Sequence, residues 1–195
     1  MEFDIFSIED NLATITDGKQ SMSGIFVESP NKEHKVVYSK SFNTESQKFN
    51  MVILKDNSTA KFTKISRPMS AVITDDGVVA VATITNQEKF TWGLEFYEPS
   101  GKKIKALKGY GQKLYLSPDS KFLITQALNI KEAPSRNREI NVYDMLTYQK
   151  IITTINPLWE KRVSFDTEQQ TVTFERDADD ATALWISATM SLKTN

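Results

Sequence analysis

Leu114-Tyr115-Leu116-Ser117-Pro118-Asp119-Ser120-Lys121-Phe122-Leu123-Ile124-Thr125 is the stretch that decides the fold. Two short apolar runs rich in β-forming side chains flank five polar residues. Ser, Pro and Asp open those five, and each supplies turn geometry for its own reason: proline presets φ, while the short polar side chains bond the nearby backbone. The stretch therefore reads as a strand, a tight turn and a second strand. The same phrase returns as 24–27 with 36–38, as 71–73 with 78–83 across Asp75-Asp76-Gly77, and as 163–165 with 172–174. Ser-Pro opens the turn twice, at Ser29-Pro30 and Ser117-Pro118.

After a loop of varying length, a second strand–turn–strand phrase follows each copy of the first. Its copies are 51–54 with 60–65, 94–97 with 103–107, 140–143 with 150–155, and a weaker 183–186 with 189–192. Equivalent positions in the first strands, Phe26, Ile73, Leu116 and Phe165, lie 43–49 residues apart, within the period of repeats built from four strands. A small sheet with apolar residues on both faces cannot bury them alone; stacking against its neighbours does. No long segment has the 3.6-residue apolar spacing of a helix.

Leu116 to Leu123, with Ile140-Asn141-Val142-Tyr143-Asp144 and Lys150-Ile151 after it, resembles a blade of the WD-repeat and YVTN-type β-propeller families. The Gly-His pair of WD repeats is absent. Their Trp-Asp pair is replaced by Tyr143-Asp144 in one unit and Tyr97-Glu98 in another. The resemblance implies an all-β, β-propeller-like chain of about four four-stranded blades, forming either a small closed ring or an open arc. It also implies an interaction platform or scaffold. The expected organisation is one domain over 1–195, with units at 24–65, 69–107, 112–155 and 160–192. Strands within 3–16 are expected to complete the last blade.

Composition narrows the function classes. The 195 residues carry 24 basic and 25 acidic side chains for a net charge of −1, which gives no global field for nucleic acid or an anionic membrane. There is no cysteine, which removes thiolate nucleophiles, disulfides and cysteine metal sites together. No stretch approaches the roughly 20 apolar residues of a membrane helix, and the N-terminus lacks a signal-peptide pattern. The expected location is the cytoplasm.

Candidate chemistry is sparse. His34, the single histidine, lies beside Lys32, Glu33 and Lys35 and is expected to be an exposed loop residue. Asp177-Ala178-Asp179-Asp180 lacks the spacing of a calcium loop, and Gly109-Tyr110-Gly111 is too short to cradle phosphate. Asp75-Asp76-Gly77 reads as a hairpin turn needing positive φ. Lys102, Lys103, Lys105 and Lys108 read as a solvated outer edge strand protected by charge. No cofactor and no metal are expected.

The leading reading is a non-catalytic protein- or peptide-binding module that works through its loops. In a propeller, the connections between units emerge on the same face as the loops between second and third strands. Here those segments hold Arg67, Phe90, Trp92, Tyr110, Arg136, Arg138 and Trp159, of the aromatic and arginine types enriched at binding hot spots. The alternatives are a hydrolase using carboxylates in a central pocket, or a structural subunit that self-associates through an open blade edge.

Overall fold

The computed structural model describes residues 4–9, 11–16, 19, 21–39, 50–55, 59–86, 91–108, 113–128, 138–156, 162–177 and 185–193. Among them every regular element is a strand, and no helix is long and apolar enough to cross a membrane. The chain divides into two compact units, 1–114 and 115–195, with the strand Lys113–Leu116 spanning the division.

Unit one holds two antiparallel sheets. The first has the order β1-β2-β3-β4-β5-β6, built from Asp4–Glu9, Leu12–Thr16, Ser21–Glu28, His34–Tyr38, Met51–Lys55 and Thr59–Thr63. The second has the order β10-β9-β8-β7, from Pro68–Ile73 (β7), Val79–Asn86 (β8), Thr91–Tyr97 (β9) and Lys103–Lys108 (β10). Strand alternation explains how the first sheet buries both faces. Val36, Tyr38, Met51 and Ile53 pack with Ala71, Ile73, Val79, Val81 and Tyr97 of the second sheet. Val37, Val52 and Leu54, one residue out of phase, form a separate core with Ala13, Ile15 and Met22. Truncating a fully buried member such as Leu54 to alanine would cost about 2–5 kcal/mol.

The N-terminal strands depart from expectation. They were assigned to the last sheet, but β2 pairs with β3 over Leu12↔Ile25 to Thr16↔Ser21, so the hairpin extends the first sheet to six strands. The physical reason lies in Ala13 and Ile15, which are buried beside Met22 on that sheet's second face.

Unit two holds the remaining sheets. Lys113–Leu116 (β11), Phe122–Leu128 (β12), Arg138–Asp144 (β13) and Gln149–Asn156 (β14) run in sequence order. Arg162–Asp166 (β15), Thr171–Asp177 (β16) and Trp185–Ser191 (β17) form a three-stranded sheet. Ile124, Ile140, Val142, Val172, Phe174 and Leu192 make the core between these two sheets. The two weak strands read at 183–186 and 189–192 are one continuous strand, because no turn residue interrupts Trp185 to Ser191.

The Ser-Pro turns share one design. Ser117 Oγ donates to Asp119 Oδ1 at 2.7 Å and accepts the Phe122 N–H at 2.9 Å. Ser29 Oγ donates to Asn31 Oδ1 at 2.7 Å and accepts the His34 N–H at 3.1 Å. Thr74 does the same with Asp76 and the Val78 N–H. All three hydroxyl residues are buried. Three positions on from each, Lys32, Gly77 and Ser120 take φ values of 64°, 85° and 58°, the left-handed residue that brings the chain back into the second strand.

Candidate interaction surface

Alternation and the tight turns sort the connections to opposite ends of the sheets. Within each sheet the tight turns share one end, 74–78 with 98–102 in β7–β10 and 117–121 with 144–149 in β11–β14. In β7–β10 the opposite end is the one where β7 begins and β8 ends.

At that end of β7–β10, Arg67 and Trp92 lie on either side of Ile84 in β8. The Ile84 N–H donates to the Arg67 carbonyl at 3.1 Å, and Ile84 lies opposite Trp92 in the β8–β9 ladder. Arg67 is half-buried, while Trp92 is 9% exposed at the second residue of β9. Trp92 is thus placed to pack, with β8 between it and the half-buried Arg67. Arg138 opens β13, between Leu128 and Asn156. Phe90, Tyr110, Arg136 and Trp159 lie outside the described residues, as do Gly109-Tyr110-Gly111 and Ala178 to Asp180.

His34 is not the exposed loop residue expected. It is the first residue of β4, 5% exposed, and its Nδ1 has no hydrogen-bond partner. A Cβ on Gly77 would lie 2.6 Å from its Cδ2, so the ring fills the space that glycine leaves. The strand begins earlier than its apolar residues because the Ser29 hydroxyl caps the His34 N–H.

Two buried polar groups escaped the reading of the sequence. Glu95 is 6% exposed on β9, where Tyr97 Oη donates to Oε2 and Lys103 Nζ sits 2.9 Å from Oε1. The Lys103 ammonium also lies 5.6 Å from the Tyr97 ring centroid. Burial, then the hydrogen bond to Glu95, then its charge push the Tyr97 hydroxyl well above the usual tyrosine range. On β13 the equivalent residue is Asn141, 2% exposed, which donates to Glu139 Oε1 at 2.9 Å and accepts from Thr153 Oγ1 at 2.8 Å. Burial and the charge of Glu139 outweigh a bond to Thr125 in raising the Tyr143 hydroxyl. The signal for both groups was a polar residue two positions before the tyrosine in an otherwise apolar strand, Leu94-Glu95-Phe96-Tyr97 and Ile140-Asn141-Val142-Tyr143. Glu95 is saturated by its two partners, which suits it to holding β9 and β10 together.

Tyr97-Glu98 and Tyr143-Asp144 occupy similar places, a buried tyrosine at the end of β9 or one residue from the end of β13, followed by an acid that leads into the turn. Asp144 Oδ1 accepts the N–H groups of Leu146 at 3.0 Å and Thr147 at 2.7 Å. Glu98 accepts from Ser100 Oγ at 3.0 Å. Lys103–Lys108 is an outer edge strand, as its charges implied. Among the described residues, no three histidine, aspartate or glutamate side chains converge as a metal site.

No protein-family model matches the chain, and no curated protein does. Its fold is similar to hydrazine synthase of Kuenenia stuttgartiensis, with a TM-score of 0.58 at 13% identity over 95% of this chain and 58% of that one. It is similar to the Dos1 propeller, with a TM-score of 0.55 at 12% identity over 86% of this chain and 47% of that one. A chain of the mitotic checkpoint complex aligns with a TM-score of 0.53 at 12% identity, over 88% of this chain and 53% of its own length. The present chain thus spans about half the length of these structures. Repeated antiparallel sheets in sequence order, with these likenesses, make the fold all-β and β-propeller-like.

Proposed function

We propose that this chain is a non-catalytic protein- or peptide-binding module of the cytoplasm that engages its partner through the loop face of a propeller. The observation that carries the reading is the fold, repeated antiparallel sheets in sequence order that are similar to propeller structures. Trp92 is buried at the start of β9, where its indole anchors that end of the sheet. The sequence supports it with further aromatic and arginine residues read as loop positions, Phe90, Tyr110, Arg136, Arg138 and Trp159. A chain of the mitotic checkpoint complex, itself part of an assembly, shares the fold and is consistent with such a role.

The test is a variant carrying alanine at Arg67, Tyr110, Arg136, Arg138 and Trp159, compared with the parent as bait in affinity capture from the native host. Loss of the captured proteins with an unchanged circular-dichroism spectrum and melting temperature supports the assignment. Capture of the same proteins in the same amounts rejects it.

A further inference from the structure

Strands β6 and β10 are the last strands of the first two repeats, and their sheets pack together within unit one. They meet at that joint. Ile65, just past β6, is buried in the shared core. A Cβ on Gly101, in the turn before β10, would lie 2.5 Å from Thr63 Oγ1 and 3.7 Å from Lys61 Cβ. Residues 59–66 and 93–108 hold six lysines, Lys61, Lys64, Lys102, Lys103, Lys105 and Lys108, against two acids. Glu95 is buried and already satisfied by Tyr97 and Lys103, and Glu98 stands 4.0 Å from Lys102. The whole chain is at −1, so this local +4 leaves −5 for the remainder. Lys61, Lys64, Lys102, Lys103 and Lys108 are exposed.

An apolar residue lies exposed among these lysines. Lys103 pairs with Tyr97 and Lys105 with Phe96, so Ile104 is the extra residue of a β-bulge. It is 36% exposed, one of three large exposed apolar side chains among the described residues. Lysines alone would protect an edge strand, whereas an exposed isoleucine in the same strand works against that protection. An apolar centre within a charged surround is the make-up of a contact surface. We propose that the β6–β10 surface of unit one binds an acidic peptide segment of a protein partner, with an apolar side chain of that segment on Ile104 and its flanking carboxylates on the lysines. Charge complementarity sets the sign of the partner. The neighbouring side chains set its class. Phe62 is partly buried and Tyr97 buried, so these two segments expose no aromatic ring on which a base could stack, and they hold no arginine for a bidentate grip on phosphate or guanine. Peptide is thereby favoured over nucleic acid. The surface is distinct from the loop face proposed above.

Fluorescence anisotropy with the 195-residue chain is the test. The probe is a fluorescein-labelled, glutamate-rich peptide with two central leucines. Its comparisons are the same peptide with glutamine for glutamate, the same peptide with serine for leucine, and a single-stranded DNA of equal charge. The chain should bind the first peptide, and each of the others about tenfold more weakly or worse. Combining Lys61→Glu, Lys64→Glu and Lys108→Glu should weaken binding by about tenfold or more, and Ile104→Ser by about threefold or more, with unchanged circular-dichroism spectra and melting temperatures. Glutamine at the same three lysines serves should the charge reversal unfold the chain. The alanine variant of the loop face should bind the peptide as the parent does, which separates this surface from that one. No binding of the acidic peptide, equal binding of its glutamine or serine form, DNA bound as tightly, or parent-like binding by a folded lysine or Ile104 variant would each overturn the assignment. So would loss of binding in the loop-face variant.

Discussion

The backbone N–H of Asn31 donates to Asp75 Oδ1 at 2.8 Å, tying the first tight turn of one sheet to the equivalent turn of the next, 44 residues later. This is a polar contact between repeats, added to the apolar packing of Val36 and Ile53 against Ile73 and Val81. Both partners lie at the surface, so a modest contribution follows. Asp75→Ala should destabilise by about 1 kcal/mol, and Asp75→Asn, which keeps a carbonyl oxygen, by less. Urea unfolding checks this through a lowered midpoint at constant slope. Equal midpoints for parent and alanine variant would show that the contact adds nothing.

Gly77 is constrained twice. Its φ of 85° strains any residue with a Cβ, and that Cβ would meet His34 Cδ2 at 2.6 Å and Nε2 at 2.9 Å. Gly77→Ala should therefore cost about 2–4 kcal/mol. The two causes separate in a double-mutant cycle. His34→Ala opens space for the new methyl group, so the pair should cost less than the sum of its parts. Strict additivity would mean that the clash relaxes without energy and only the backbone matters.

The repeat was legible because both of its signals are local. Alternating apolar residues set the strands, and Ser117-Pro118-Asp119 and Asp75-Asp76-Gly77 set the turns, so the sheet order within each repeat follows the chain. Three things were not legible. Ala13 and Ile15 are apolar enough to complete either the first or the last sheet, and only three-dimensional fit chooses. His34 reads as a turn residue by its charged neighbours, yet the capping hydroxyl of Ser29 pulls it into β4. Glu95 looks like one of many surface acids until Tyr97 and Lys103 converge on it. Of the candidate binding residues, Arg67 and Trp92 fall on either side of Ile84, through a strand pairing that the sequence implied but did not specify.

Ser117 holds two groups at once, the Phe122 N–H and the Asp119 carboxylate. Partial burial works to raise the Asp119 carboxyl. The hydrogen bond from Ser117, the Lys121 N–H and the Lys121 ammonium at 3.4 Å outweigh it and hold the group below the usual aspartate value. A depressed folded value stabilises the protein above the unfolded pKa of 3.8, and that contribution is lost as pH falls through the folded value. Ser117→Ala should raise the Asp119 titration midpoint, seen by carboxyl NMR. It should also cost about 1–3 kcal/mol by leaving the Phe122 N–H without its side-chain acceptor. An unmoved Asp119 titration would mean that Lys121 alone depresses it.

The buried tyrosines set the opposite limit. Burial raises the hydroxyls of Tyr38, Tyr97 and Tyr143, and Glu95 adds to the effect at Tyr97 through its hydrogen bond and its charge. Between the ordinary value of 10.0 and these raised values, the unfolded chain has released tyrosine protons that the folded chain still holds. Stability contributed by the protonated hydroxyls is thus complete below pH 10 and declines as pH rises above it. Denaturant midpoints measured at rising alkaline pH should fall accordingly. Glu95→Gln isolates one contribution: glutamine still accepts from Tyr97 Oη but carries no charge. Tyr97 should then ionise at lower pH than in the parent while remaining above an exposed tyrosine, because burial, the largest cause, is untouched. Ring-labelled NMR of Tyr97 reads this directly. A Tyr97 titration identical in parent and Glu95→Gln would show that the carboxylate's charge is already cancelled by Lys103.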